Sequence, residues 1–92
     1  MEFKIKSSDN YLKISGDLTI SNVKIFEIMI YSFIKKYKNI IVDIGNITNI
    51  DTLGVNSIVE AYQFSIKKEK NLLFCGKGSK DIIDELYYRD VA

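Results

Sequence analysis

The strongest constraint on the fold is a run of β-branched side chains in the middle of the chain. Asn39-Ile40-Ile41-Val42-Asp43-Ile44 is almost unbroken in apolar character. Such a run predicts a strand covered on both faces, as in a mostly parallel sheet. Parallel neighbours need crossover connections, and a helical pattern stands on each side of the run. Upstream, Ser21 or Asn22 can cap a helix reaching about Tyr37. Val23, Phe26, Ile30, Phe33, Ile34 and Tyr37 fall on one side of it at about 3.6 residues per turn, with Lys24, Glu27, Tyr31 and Lys35 opposite. Ile25, Ile28 and Met29 widen the apolar arc. Core burial is expected for most of that arc, with a partner surface as the alternative.

Downstream, Gly45 to Ile50 reads as a loop. A second helix spans about Thr52 to Lys68, with Val55, Ile58, Val59, Tyr62 and Ile66 inward. Asn71-Leu72-Leu73-Phe74-Cys75 is a further buried strand. Ser79 then caps a third helix carrying Ile82, Ile83, Leu86 and Tyr87, and Val91-Ala92 resembles the start of another strand. At the other end, Glu2-Phe3-Lys4-Ile5-Lys6 and Tyr11-Leu12-Lys13-Ile14-Ser15 alternate with period two around the turn cluster Ser7-Ser8-Asp9-Asn10, an N-terminal β-hairpin. Gly16-Asp17-Leu18-Thr19 breaks that alternation. The expected fold is α/β: a hairpin, then alternating β and α, in a mixed, mostly parallel sheet packed against helices. Residues 1–92 are expected to form a single domain.

Several functions are disfavoured by composition. The chain has no histidine, which removes the commonest general base, the commonest metal ligand and any Ser–His or Cys–His pair. Thirteen basic and twelve acidic side chains leave a net charge of +1, and Arg89 is the only arginine, so nucleic acid is not an expected partner. The lysines near helix ends (Lys35, Lys36, Lys38; Lys67, Lys68, Lys70) read as solvation and as complements to the helix dipoles. Cys75 stands alone, so no internal disulfide forms, and it is expected to act as a small core hydrophobe. Met1–Asp9 lacks the apolar core of a secretion signal, and no apolar run reaches membrane-spanning length. The expectation is a cytoplasmic protein without membrane insertion, catalytic residues, metal or cofactor.

Gly76-Lys77-Gly78-Ser79 sits between a strand and a helix, where phosphate loops occur, but it matches neither phosphate-binding signature. Asp43 ends a buried strand, as a receiver-domain phosphoacceptor does. The paired acids, and the prolines that accompany such a site, are missing. The informative segment is Ile47-Thr48-Asn49-Ile50-Asp51-Thr52-Leu53-Gly54-Val55. Asp51 is a suitable N-cap. Gly54 in the first helical turn costs up to about 1 kcal/mol relative to alanine, so it points to a close backbone approach.

The order hairpin, Gly16-Asp17-Leu18-Thr19, helix, Ile40–Ile44 strand, Asp51-Thr52-Leu53-Gly54-Val55, helix, Leu72–Cys75 strand resembles the STAS family. That family includes the bacterial anti-sigma factor antagonists. Two motifs carry the likeness, the G-x-L-T leading into the first helix and the D-[ST]-x-G-[LV] turn opening the second. The resemblance implies a non-enzymatic domain that binds a partner through Asp51, Thr52, Leu53, Gly54 and Val55. For an antagonist the partner is an anti-sigma factor with serine/threonine kinase activity, which transfers phosphate to a hydroxyl in this turn and so releases the complex. Thr52 is the only hydroxyl there, because Leu53 stands where many antagonists carry a second. The alternative within the family is a scaffold without a phosphorylation cycle, such as the STAS subunit of a phospholipid-trafficking ABC transporter, partnered by its ATPase. Family members usually continue through another strand and a last helix, and relative to that pattern the sequence is short.

Overall fold

The structure is a computed structural model that describes residues 2–77; the expected third helix from Ser79 and the residues to Ala92 lie outside the described part. Four strands and two helices follow one another as β1 (Lys4–Ser8), β2 (Tyr11–Leu18), α1 (Val23–Lys36), β3 (Asn39–Ile50), α2 (Thr52–Lys67) and β4 (Asn71–Cys75). The sheet order is β1-β2-β3-β4. β1 and β2 form the expected antiparallel hairpin, closed by Asp9 and Asn10 between the Ser8–Tyr11 pair. Asp9 takes φ 51, the positive value that a two-residue hairpin turn requires. β2, β3 and β4 run parallel, each joined to the next by a helix.

The core lies between the helices and one face of the sheet. Leu12, Ile14 and Leu18 of β2 and Ile40, Val42 and Ile44 of β3 are buried, as are Phe26, Ile30 and Ile34 of α1. Burial of such a side chain stabilises by about 1.5–3 kcal/mol, so these three residues tie α1 to the sheet. Tyr31 and Phe64 meet edge to face at 4.9 Å where α1 lies beside α2. The expected inward positions Val23, Phe33 and Tyr37 are half-buried against the core.

Several expectations are corrected. Gly45 to Ile50 is strand rather than loop, and the Gly16–Leu18 break is strand too. The two segments pair, Ser15 with Asn46, Gly16 with Ile47, and Leu18 with Ile50, across two register shifts. Gly16 holds φ +87, and a Cβ there would meet the Glu2 carbonyl oxygen, which is why only glycine keeps the strand running. β3 is not enclosed on both sides. Its residues alternate between buried and half-exposed, and both described helices cover the same face. β4 is an outer strand of the described sheet, with Phe74 buried, Leu73 exposed and Cys75 only half-buried. Ile25 and Ile28 stand in solvent, because the sheet and α2 together cover only part of α1's circumference; Met29 is half-buried.

On α2 the expected inner positions Ile58 and Val59 are buried and Val55 and Tyr62 pack against the core, but Ile66 is exposed, and the small residues Gly54, Ser57, Ala61 and Ser65 are buried as well. Small residues at this spacing let the helix lie close. Ser57 and Ser65 donate their hydroxyls to the carbonyls of Gly54 and Tyr62, so neither is buried unsatisfied.

Candidate functional site

The parallel strands deliver two loops to the same end of the sheet, Thr19–Asn22 after β2 and Asp51 after β3. At the first, the N–H groups of Asn22 and Val23 both donate to the Thr19 carbonyl. Asn22 occupies the cap position of α1, but its side chain makes no cap bond. Its amide donates to the Asp17 carbonyl instead, at 2.7 Å, fastening the turn to the strand it has just left.

At the second loop, Asp51 is extended and caps α2, as its sequence position implies. Oδ1 accepts the Gly54 N–H at 2.8 Å. Oδ2 accepts the Ile20 N–H at 2.9 Å, which links the two loops through one carboxylate. A charged acceptor strengthens both bonds, and its charge complements the helix N-terminus. The Asp51 N–H reaches the Leu18 carbonyl at a long 3.4 Å.

The five residues expected to form the site divide into two groups. Thr52 and Leu53 are exposed, Leu53 by 46%. Gly54 is buried, so it does not itself present a docking surface. A Cβ on Gly54 would stand 2.2 Å from the Leu18 carbonyl oxygen. The close approach expected of this glycine is therefore met by the chain's own β2, not by a partner. Val55 is half-buried against the core, and Asp51 is half-buried with both oxygens engaged. Ile20, 67% exposed, was not singled out by sequence reasoning, and the carboxylate bond places it at the same corner. Its only sequence signal is an isoleucine stranded in an otherwise polar turn.

Beside the corner, Asp17 accepts the Thr48 hydroxyl at 2.7 Å and the Asn49 amide at 2.9 Å. These bonds hold its carboxyl down to about 2. They also explain how the polar residues of the second half of β3 are kept in the sheet.

On the sheet face away from the helices, Asp43 accepts the Tyr11 hydroxyl at 2.7 Å and the Gly45 N–H at 2.9 Å. The Tyr11 bond holds the Asp43 carboxyl below its ordinary range and pushes the Tyr11 phenol up to about 12. Burial raises the Cys75 thiol, which leaves it less reactive. Asp43 thus bonds across two strands as a structural acceptor. Among the described residues no cluster of metal-ligating side chains occurs. None of the described helices is long and apolar enough to cross a membrane.

Comparison with known proteins gives a consistent picture. The model of the STAS domain family matches residues 1–83. An anti-sigma factor antagonist from Mycobacterium paratuberculosis superposes with a TM-score of 0.67 at 14% identity, over 84% of this chain and 68% of that one. The anti-sigma factor antagonist SpoIIAA in its unphosphorylated form gives 0.62 at 13% identity, over 94% and 98%. The Bacillus SpoIIAA in its phosphorylated form gives 0.61 at 13% identity. Mglu gives 0.66 at 8% identity over 82% of this chain, which spans only 19% of that longer one. At these identities the likeness is one of fold. No curated protein matches the chain.

Proposed function

The chain belongs to the STAS domain family, and from that membership we propose that it is an anti-sigma factor antagonist: a binding module that docks an anti-sigma serine/threonine kinase and is released by phosphorylation of Thr52. The observation that carries this reading is the division of the corner. Thr52 and Leu53 stand in solvent on the first turn of α2, while Asp51 and Gly54 are occupied in holding that turn in place. A hydroxyl displayed on a fixed helix start is a suitable kinase acceptor. Leu53 and Ile20 beside it supply apolar contact area.

Phosphate on Thr52 would add roughly −1.5 to −2 charges next to the Asp51 carboxylate in that contact area, which weakens docking. The helix N-terminus favours negative charge, so the modified domain keeps its fold. The likeness to SpoIIAA, whose structure is known with and without phosphate, lends support to this cycle.

A second reading draws on one further observation. Ile25 and Ile28 are 54% and 67% exposed on α1, outside the Asp51–Val55 segment. They favour a stable scaffold contact of the kind made with a transporter ATPase. Incubating the protein with an anti-sigma kinase of the same genome and ATP, followed by intact-mass measurement, separates the two. One phosphate on the wild type and none on Thr52→Ala supports the antagonist. An unmodified wild type that co-purifies with an ATPase subunit supports the scaffold.

A further inference from the structure

The face of the hairpin that points away from the helices carries a charge arrangement that the corner does not use. In the β1–β2 ladder Lys6 stands directly opposite Lys13, and Lys4 opposite Ser15. Like charges so opposed destabilise the pairing, so local stability does not explain them. Lys4, Lys6 and Lys13, with Glu2, Ser15 and Asn46, line a depression of about 390 Å³. Glu2 is the one carboxylate in that lining, and it lies 3.9 Å from the Lys4 ammonium. Lys13 stands beside Asp43 in the β2–β3 pairing, but that carboxylate is already bonded to Tyr11 and Gly45. The depression is therefore net positive. β1 is also an outer strand of the described sheet, with its exposed backbone edge turned away from β2.

The geometry points to β1 as the docking edge for an acidic, extended segment of a partner protein. Alternate residues of a strand face the same side, so a segment reading acid–x–acid along β1 sets a carboxylate beside Lys4 and another beside Lys6, within range of Lys13. Ladder hydrogen bonds supply affinity and the lysines supply register. A free anion is a poorer occupant. Lysine is a point charge without the fork of arginine, and exposed ion pairs each contribute little. An anionic lipid surface is poorer too, because the net charge of the chain is only +1. Lysines on an edge also discourage self-pairing, and that role alone gives no affinity for acidic strands. The docking edge is independent of Thr52, so failure of the phosphorylation cycle leaves it standing.

The test is fluorescence anisotropy with a labelled peptide of alternating Asp and Val, beside its Asn-for-Asp counterpart, together with amide NMR shifts. The Asp peptide is expected to bind and the Asn peptide not, with the shifts centred on Lys4–Ser8. Lys6→Glu and Lys13→Glu are each expected to weaken binding by roughly tenfold or more through like-charge repulsion. Lys13→Gln takes the place of Lys13→Glu if that variant melts early, and Thr52→Ala is expected to bind as the wild type does. Equal binding of the two peptides, indifference to Lys6→Glu, or shifts away from β1 overturns the assignment. Displacement of the peptide by inorganic pyrophosphate at comparable concentration identifies a small-anion site and overturns it. So does lysine-dependent capture on phosphatidylserine vesicles without peptide binding.

Discussion

Replacing Gly54 by alanine sets helix propensity against packing, and the geometry decides which prevails. Alanine in a helix is favoured over glycine by up to about 1 kcal/mol, so propensity alone predicts a more stable protein. The added Cβ would lie 2.2 Å from the Leu18 carbonyl oxygen and 2.8 Å from Ile50 Cγ1. A carbon–oxygen contact relaxes at about 3.3 Å, so the first turn of α2 must retreat by about 1 Å from the end of β2. That retreat strains two bonds to the neighbouring loop. The Asp51 N–H to the Leu18 carbonyl is already long at 3.4 Å, and the Ile20 N–H to Asp51 Oδ2 is 2.9 Å. Overpacking of this kind costs about 1–3 kcal/mol, and each weakened bond about 1. After the propensity gain is subtracted, Gly54→Ala is expected to destabilise by about 2–4 kcal/mol, or roughly 10–30 °C in Tm for a domain of this size. Thermal melting and urea unfolding measure it, with an unchanged m-value reporting an unchanged native surface. Thr52→Ala, two residues away, is the matched control and is expected within about 0.5 kcal/mol of wild type. A Gly54→Ala protein that melts at or above the wild-type temperature refutes the close-approach argument.

Asp51→Ala removes both carboxylate bonds, from the Gly54 and Ile20 N–H groups, and is expected to cost about 1–2 kcal/mol, whereas Asp51→Asn keeps a capping oxygen and loses less; equal melting of the two variants would contradict the shared-carboxylate geometry. Asp17 is held down to about 2 by the Thr48 hydroxyl and the Asn49 amide, so its native form releases a proton more readily than the unfolded chain does. Its contribution is therefore complete above the unfolded value of about 3.9 and is lost as pH falls toward 2. Asp17→Asn should flatten that acid limb in pH-dependent urea unfolding. The Tyr11 phenol, pushed up to about 12 chiefly by its bond to Asp43, holds its proton more tightly when folded, so its contribution is present below about 10 and is lost as pH rises toward 12. Spectrophotometric titration should show a phenolate step near 12 that vanishes in Tyr11→Phe, and a step that persists counts against the bond.

Elements defined by short-range pattern were legible in the sequence. The alternation in the hairpin, the apolar run Ile40–Ile44 and the Asp51 cap all appear where the residues place them. The misread ends of β2 and β3 share a cause, because they lie where a distant partner overrides local preference. Gly45, Asn46, Thr48 and Asn49 are turn-forming types, yet they extend β3 because β2 continues past Gly16 beside them and Asp17 receives the Thr48 and Asn49 side chains. Neither half of that pairing is visible without the other. On α2, Ile58 and Val59 are buried as expected, but the small residues of the stripe were missed for a different reason. Apolar size was weighed and smallness was not, though Gly54, Ser57, Ala61 and Ser65 recur at the spacing of one helical face. Ile25 and Ile28 could not be placed from periodicity, since the arc that a helix buries depends on how many neighbours surround it.

The corner itself shows why a short motif can combine residues with opposite duties. Successive helical residues point about 100° apart, so four consecutive positions cannot share one environment. Asp51 and Gly54 turn toward the body of the domain, one bonding two loops and the other admitting the Leu18 carbonyl, while Thr52 and Leu53 between them turn outward. The aspartate and glycine thus each have a role in holding the fold, one that a STAS domain would need with or without a phosphorylation cycle. What distinguishes the antagonist from the scaffold must lie in the outward pair. The proposed function therefore rests on the chemistry of Thr52 and the apolar contact of Leu53, and not on the motif that frames them.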